Sequence, residues 1–146
     1  MSKKRGNNMR TEKQIEVFLY KRDPKKGFLF LLMRRVPKRG GFWQPLTGGV
    51  EDKETLEEAI KRETLEETGV VKLLKLTDSK YCYEFTDEGR HHIEYIFGVE
   101  IPINAKIHLS REHDDFQWVN KNEALRLLKW PGNKKGLQRL CKSLDL

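Results

Sequence analysis

One stretch restricts the folds open to this chain more than any other. Between Gly48 and Val70 a basic protein turns acidic, with eight acids against three bases on a chain of net charge +7. Within it, Thr55 and Glu58 three residues later make a capping box, and acids crowd the first turn, where the helix dipole favours them. Gly69 suits a left-handed C-terminal cap, so the pattern predicts a helix between Thr55 and Gly69. The apolar stripe of that helix, Leu56, Ala59 and Ile60, runs on into Glu63, Glu66 and Glu67. At roughly 100° per residue these three acids fall within about a 100° arc, reachable from one point beside the helix. A stripe that starts apolar and ends acidic carries carboxylates toward the protein body, where an unbalanced charge is costly and one group takes up a proton unless a cation is supplied. A charge run is ordinarily a solvated face, and like charges at i,i+4 cost only a few tenths of a kcal/mol, so spacing alone leaves both readings open.

A chain of 146 residues, 37% of them hydrophobic, can bury about two-thirds of its surface around one core. We read residues 11–146 as a single domain behind a mobile basic tail, residues 1–10, which holds Lys3, Lys4, Arg5 and Arg10. No run of about 18 apolar residues occurs, so a soluble cytoplasmic protein with no membrane partner is expected. Cys82 and Cys141 have no CxxC spacing and are read as reduced thiols rather than a disulfide or zinc site.

The remaining pattern alternates strands and helices. Gln14 to Tyr20 and Phe28 to Met33 read as a hairpin around Asp23-Pro24-Lys25-Lys26-Gly27. Tyr81 to Phe85 and Ile93 to Ile101 read as strands around Asp87-Glu88-Gly89, and Phe116 to Val119 as a short strand. Two helices, Asn122 to Lys129 and Lys134 to Leu144, are expected to be separated by a non-helical Trp130-Pro131-Gly132-Asn133. This order implies a mixed sheet covered by helices, an α/β fold.

Gly48, five residues, Glu54, seven residues, then Arg62-Glu63-Thr64-Leu65-Glu66-Glu67-Thr68-Gly69-Val70 resembles the Nudix box of the Nudix (MutT-like) hydrolases. Every fixed residue of that pattern is present; the one departure is Thr64, where the family places an aliphatic residue. The resemblance implies an α/β/α sandwich carrying a loop-helix-loop motif. It also implies hydrolysis of a nucleoside diphosphate linked to another group, by water and without a covalent enzyme intermediate. Clustered carboxylates select hard cations, so Mg²⁺ or Mn²⁺ is expected as cofactor. Carried over by the resemblance, Glu63, Glu66 and Glu67 are metal ligands, the Gly48 carbonyl is a further candidate ligand, and Arg62 with Glu54 orients the helix. The general base is divided between Glu66 and Glu112, because Ser110 to Trp118 resembles the Glu-His then aromatic-x-Trp stretch of several Nudix subfamilies. Glu94 is a weaker candidate.

Arg34 and Arg35, just ahead of the box, are candidates for phosphate contact, since a guanidinium suits bidentate binding. Trp43, Tyr83 and Phe116 are candidates to stack on a base or pterin, against the ordinary core role of strand aromatics. His91 and His92 are read as exposed rather than catalytic. Segments around Phe42-Trp43-Gln44, Thr47 to Glu51 and Trp118 to Asn133 resemble dihydroneopterin triphosphate or dATP pyrophosphohydrolases, which favours a nucleoside or pterin triphosphate as the small-molecule partner. Leu109 to His113 is also similar to diadenosine tetraphosphate hydrolases, the alternative. A pI near 9.4 keeps a catalytically silent nucleic-acid-binding module in view, although four of the basic residues lie in the first ten. A monomer or homodimer is compatible with all of these.

Overall fold

The computed structural model describes residues 11–146, so the expected tail at residues 1–10 lies outside the described residues. Seven strands form one mixed sheet: β1 (Thr11–Asp23), β2 (Gly27–Arg35), β3 (Trp43–Gln44), β4 (Leu46–Gly49), β5 (Lys75–Asp87), β6 (Arg90–Glu100) and β7 (His113–Val119). The main path runs β3-β2-β1-β6-β5, with β4 paired to β1 and β7 to β2. Among the described strands β1 and β6 are the parallel pair, joined in register from Thr11 and His91 to Tyr20 and Glu100. The three helices are α1 (Leu56–Thr68), α2 (Lys121–Leu127) and α3 (Pro131–Ser143).

β1 is central, and Ile15 to Tyr20 is buried without interruption because helices cover both faces of the sheet. Alternation along the strand separates two cores. Ile15, Val17 and Leu19 pack with Ala59 and Ile60 of α1 on one face. Phe18 and Tyr20 pack with Ala124 of α2 and Leu137, Leu140 and Cys141 of α3 on the other. This is the α/β/α layering expected from the sequence. Among the described residues no helix is long and apolar enough to cross a membrane.

Local chemistry accounts for the turns. The Asp23 carboxylate accepts from the backbone N–H of Lys25 and Lys26 at 2.8 and 2.9 Å, closing the first hairpin. Glu88 and Gly89 both hold positive φ between the paired ends Asp87 and Arg90, the geometry that matches strand twist in a two-residue hairpin.

Two expectations need correction. The break before the last helix is shorter than expected: α3 begins at Pro131, because proline lacks only an N–H that the first helical turn leaves unpaired anyway. His92 is buried at 8% exposure, its ring stacked 4.8 Å from that of Phe85. His91 remains on the rim, bonded to Glu84.

Candidate active site

α1 forms as its sequence dictates. The Thr55 hydroxyl accepts from the Glu58 N–H at 3.0 Å, the Glu58 carboxylate accepts from the Thr55 N–H at 2.9 Å, and Gly69 closes the helix with φ 76°. Thr64 takes the buried place on the core side and Leu65 faces solvent, so the departure from the box pattern does not rotate the helix. It does leave the Thr64 hydroxyl buried without a hydrogen-bond partner among the described residues.

Arg62 organises the acids around it. Its Nε donates to Glu54 Oε2 at 2.7 Å, while Nη2 donates to Glu54 Oε1 at 2.9 Å and to the Gly49 carbonyl at 2.8 Å. Nη1 donates to Glu63 Oε2 at 2.9 Å and reaches Glu66 Oε1 at 3.4 Å. The paired fork of Arg62 and the Glu51 N–H hold the Glu54 carboxyl down to about 2, and the acids raise Arg62 in turn. One guanidinium thus fastens α1 to the β4 backbone and to the loop before the helix.

The three box glutamates meet different surroundings. Burial pushes Glu63 above the ordinary carboxylate range, against the pull of Arg62. Its carboxyl lies on the backbone of Gly48, where an added Cβ would come within 2.3 Å of the Glu63 Cδ. Only glycine admits that approach. Glu67 is held below the ordinary range by the His113 ring, whose Nδ1 lies 3.4 Å away, and by the Ser110 hydroxyl, which donates at 2.7 Å. Glu66 has the most open side chain of the three, at 54% exposure. Among the described residues no three His, Cys, Asp or Glu side chains converge as a finished metal cluster. Glu63 is turned to Arg62 and Glu67 to Ser110, so protein donors balance these acids. The donor set, carboxylate oxygens gathered against a carbonyl strand that lacks a Cβ, fits a hard divalent cation.

Opposite α1, on the face covered by α3, lies a cavity of about 570 Å³ walled by Phe42, Tyr83, Phe85 and Trp130. Arg35 and Gln44 line it, and Gln44 reaches Glu67 through the His113 ring, so the cavity adjoins the Glu67 end of α1. Strand alternation points Arg34 and Arg35 to opposite faces of β2, and a bulge in β7 shifts the pairing from Asp115 to His113 between them. Arg34 turns to Asp114 at 2.9 Å on the surface, outside the cavity lining. Tyr83 is in the cavity wall, whereas Trp43 packs at the edge of the second core and Phe116 against the first. Glu112 is half-buried at the entry to β7, its carbonyl accepting from the Val36 N–H at 3.0 Å.

Several partners carry no motif in the sequence. Gln44 bonds the far nitrogen of His113 at 2.9 Å, linking the cavity wall to Glu67 through one buried ring. Glu16, fully buried on β1, accepts from Tyr83 and Asn133 at 3.1 and 2.9 Å. A glutamate inside the apolar run Ile15 to Leu19 was the one available signal.

Residues 12–140 match the NUDIX domain. An octanoyltransferase of Myxococcus xanthus is 38% identical over 111 residues, 75% of this chain, which spans only 31% of that protein's length. The nucleoside triphosphatase NudI of Klebsiella pneumoniae is 32% identical over 108 residues, covering 64% of this chain and 74% of the relative. The structure of the E. coli dihydroneopterin triphosphate pyrophosphohydrolase superposes with a TM-score of 0.74 at 25% identity, covering 92% of this chain and 96% of that one. An intact box on a capped helix, a matching sheet and a match across nearly the whole chain agree: this protein belongs to the NUDIX domain family.

Proposed function

We propose that this chain is a Mg²⁺- or Mn²⁺-dependent hydrolase that cleaves a diphosphate linkage in a nucleoside or pterin triphosphate and releases pyrophosphate. The observation that carries the reading is Glu63 lying against the bare backbone of Gly48 while sharing Arg62 Nη1 with Glu66. Glu63, Glu66 and Glu67, with the Gly48 carbonyl, would hold the cation. When bound, it neutralises charge building at phosphorus and acidifies the attacking water.

The chain's own residues then divide the remaining work. Glu66, open to solvent, or Glu112 takes the proton from water as its oxygen adds to phosphorus and the bond to the leaving pyrophosphate oxygen breaks. Arg62 and Glu54 keep α1 in place. Arg35 faces the phosphates from the cavity side, with Tyr83 among the walls that hold the ring. The names of the NudI relative and of the E. coli pyrophosphohydrolase support a triphosphate as substrate.

The test is incubation with Mg²⁺ and dATP, dGTP, dihydroneopterin triphosphate, diadenosine tetraphosphate or triphosphorylated RNA, followed by identification of products. Monophosphate plus pyrophosphate from a nucleoside or pterin triphosphate is expected. ATP release from the dinucleotide alone would favour the dinucleotide reading. Tight, steeply salt-dependent RNA binding without turnover would replace the enzyme reading by a binding one.

A further inference from the structure

The face of the sheet beneath α3 holds a second acid cluster that the hydrolytic machinery does not use. Glu16 on β1 and Glu94 on β6 lie on one face of the parallel pair, diagonally related, with Glu94 opposite Gln14 and Glu16 opposite Ile96, and are 0% and 5% exposed. Glu16 is buried because α3 lies directly on it. A Cβ on Gly136 would come within 2.7 Å of Glu16 Oε2, and one on Gly132 within 2.8 Å of the Tyr83 ring. The two Glu16 oxygens differ. Oε1 accepts two hydrogen bonds, from Tyr83 and Asn133, whereas Oε2 is buried with no partner among the described residues. A proton on Oε2 resolves this and makes Glu16 a neutral donor facing Glu94. Burial raises both acids above the ordinary range, and the unpartnered, fully enclosed Oε2 of Glu16 is the place for the proton.

Glu94 is then the acceptor of the pair. Its side chain lines the aromatic cavity, and no described donor other than the Glu16 acid meets it. A nearly buried carboxylate aimed into an aromatic slot calls for a flat ligand with two adjacent N–H donors on one edge. Arg35 and Gln44 line the same cavity, and Gln44 connects through the His113 ring to Glu67, so a ligand with its ring edge at Glu94 would have its phosphates toward the Glu67 end of α1.

We propose that Glu94, braced by Glu16, reads the 2-amino-oxo edge of a guanine or pterin ring, a ring N–H beside an exocyclic amino group, and so determines which triphosphate this enzyme accepts. This rests on the triphosphate reading above for its phosphates, but ring recognition itself needs neither metal nor hydrolysis.

The test is therefore binding of the unphosphorylated rings to the full chain without metal, by calorimetry and by intrinsic tryptophan fluorescence. Guanosine, pterin, inosine and adenosine are compared in wild type, Glu94→Gln and Glu16→Gln, with thermal melts to establish folding. Inosine keeps the ring N–H and lacks the amino group; adenosine presents an acceptor where guanosine presents a donor. Wild type is expected to bind guanosine and pterin at least about 10-fold more tightly than inosine or adenosine. Glu94→Gln is expected to abolish that preference, and Glu16→Gln, whose amide also donates to Glu94, to retain it. Equal binding of the four rings, a preference that survives Glu94→Gln, or no binding by any ring would overturn the proposal. Pyrophosphate release in the substrate panel, with no ring preference here, would leave the hydrolase reading standing while this one falls.

Discussion

The acids of α1 and the pair Glu16 and Glu94 sit on opposite faces of one sheet, and they are neutralised by opposite means. At α1 the charges keep a cationic partner: Arg62 makes four short contacts to Glu54, Glu63 and Gly49, and Glu54 is pulled down to about 2. Beneath α3 no ion pair to Glu16 or Glu94 occurs among the described residues, Gly136 lets the helix close on Glu16, and a proton takes the place of the cation. Acids arranged around a cation can pass one to a substrate's phosphates. Acids sharing a proton make a fixed hydrogen-bonding edge. The difference lies in what packs above each cluster, not in the residue type.

The largest expected effect is on turnover. Glu66→Gln should lower the rate at least about 100-fold with the fold intact by circular dichroism, the scale of losing an essential acid or base. An unchanged rate would remove Glu66 from the chemistry and leave Glu112 as the base.

The next effect lies in the pH dependence of thermal melting, where the two clusters should have opposite signs. Glu94 is raised from 4.5 to about 7 in the folded state, so its folded form holds a proton more tightly than the unfolded chain. Stability from this group is greatest below pH 4.5 and declines as pH rises to about 7. Glu94→Gln should flatten that decline, a relative gain on the order of 5 °C at pH 8. Glu54 behaves in reverse: lowered from 4.5 to about 2, it stabilises the fold above pH 4.5 and that contribution is lost as pH falls toward 2. Glu54→Gln should remove only this acid limb. Melting curves for both variants across pH 3 to 8 that change in the same direction would erase the distinction between the clusters.

The smallest effect tests the one irregular residue of the box. Thr64→Val keeps the shape and removes a buried hydroxyl without a partner, so it should stabilise the protein by about 1 kcal/mol in denaturant unfolding. A loss of stability would mean that the hydroxyl is satisfied in solution.

The two clusters also differ in how far the sequence reveals them. α1 is written locally: Thr55, Glu58 and Gly69 fix its ends, and Gly48, Glu54 and Arg62 to Glu67 stand within one short segment at spacings set by the helix. The cavity acids are joined only by tertiary structure. Glu16 and Glu94 become neighbours through parallel pairing of β1 with β6, and Gly132 and Gly136 matter only once α3 is docked. No short-range pattern announces either event. Strand alternation sets Arg34 and Arg35 on opposite faces of β2, and only the docking of β7, a strand far along the chain, gives Arg34 its Asp114 partner and leaves Arg35 to the cavity. The start of α3 was readable in principle, since Pro131 suits a first helical position as well as a break.

The most direct test of the α1 assignment is a Mn²⁺ titration of the full chain, followed by calorimetry or by the paramagnetic signal of the ion. The account predicts saturable binding by wild type, a loss of at least about 10-fold in affinity in Glu63→Gln, and unchanged affinity in Glu94→Gln. Equal affinity in wild type and Glu63→Gln, or weakening by Glu94→Gln instead, would contradict it.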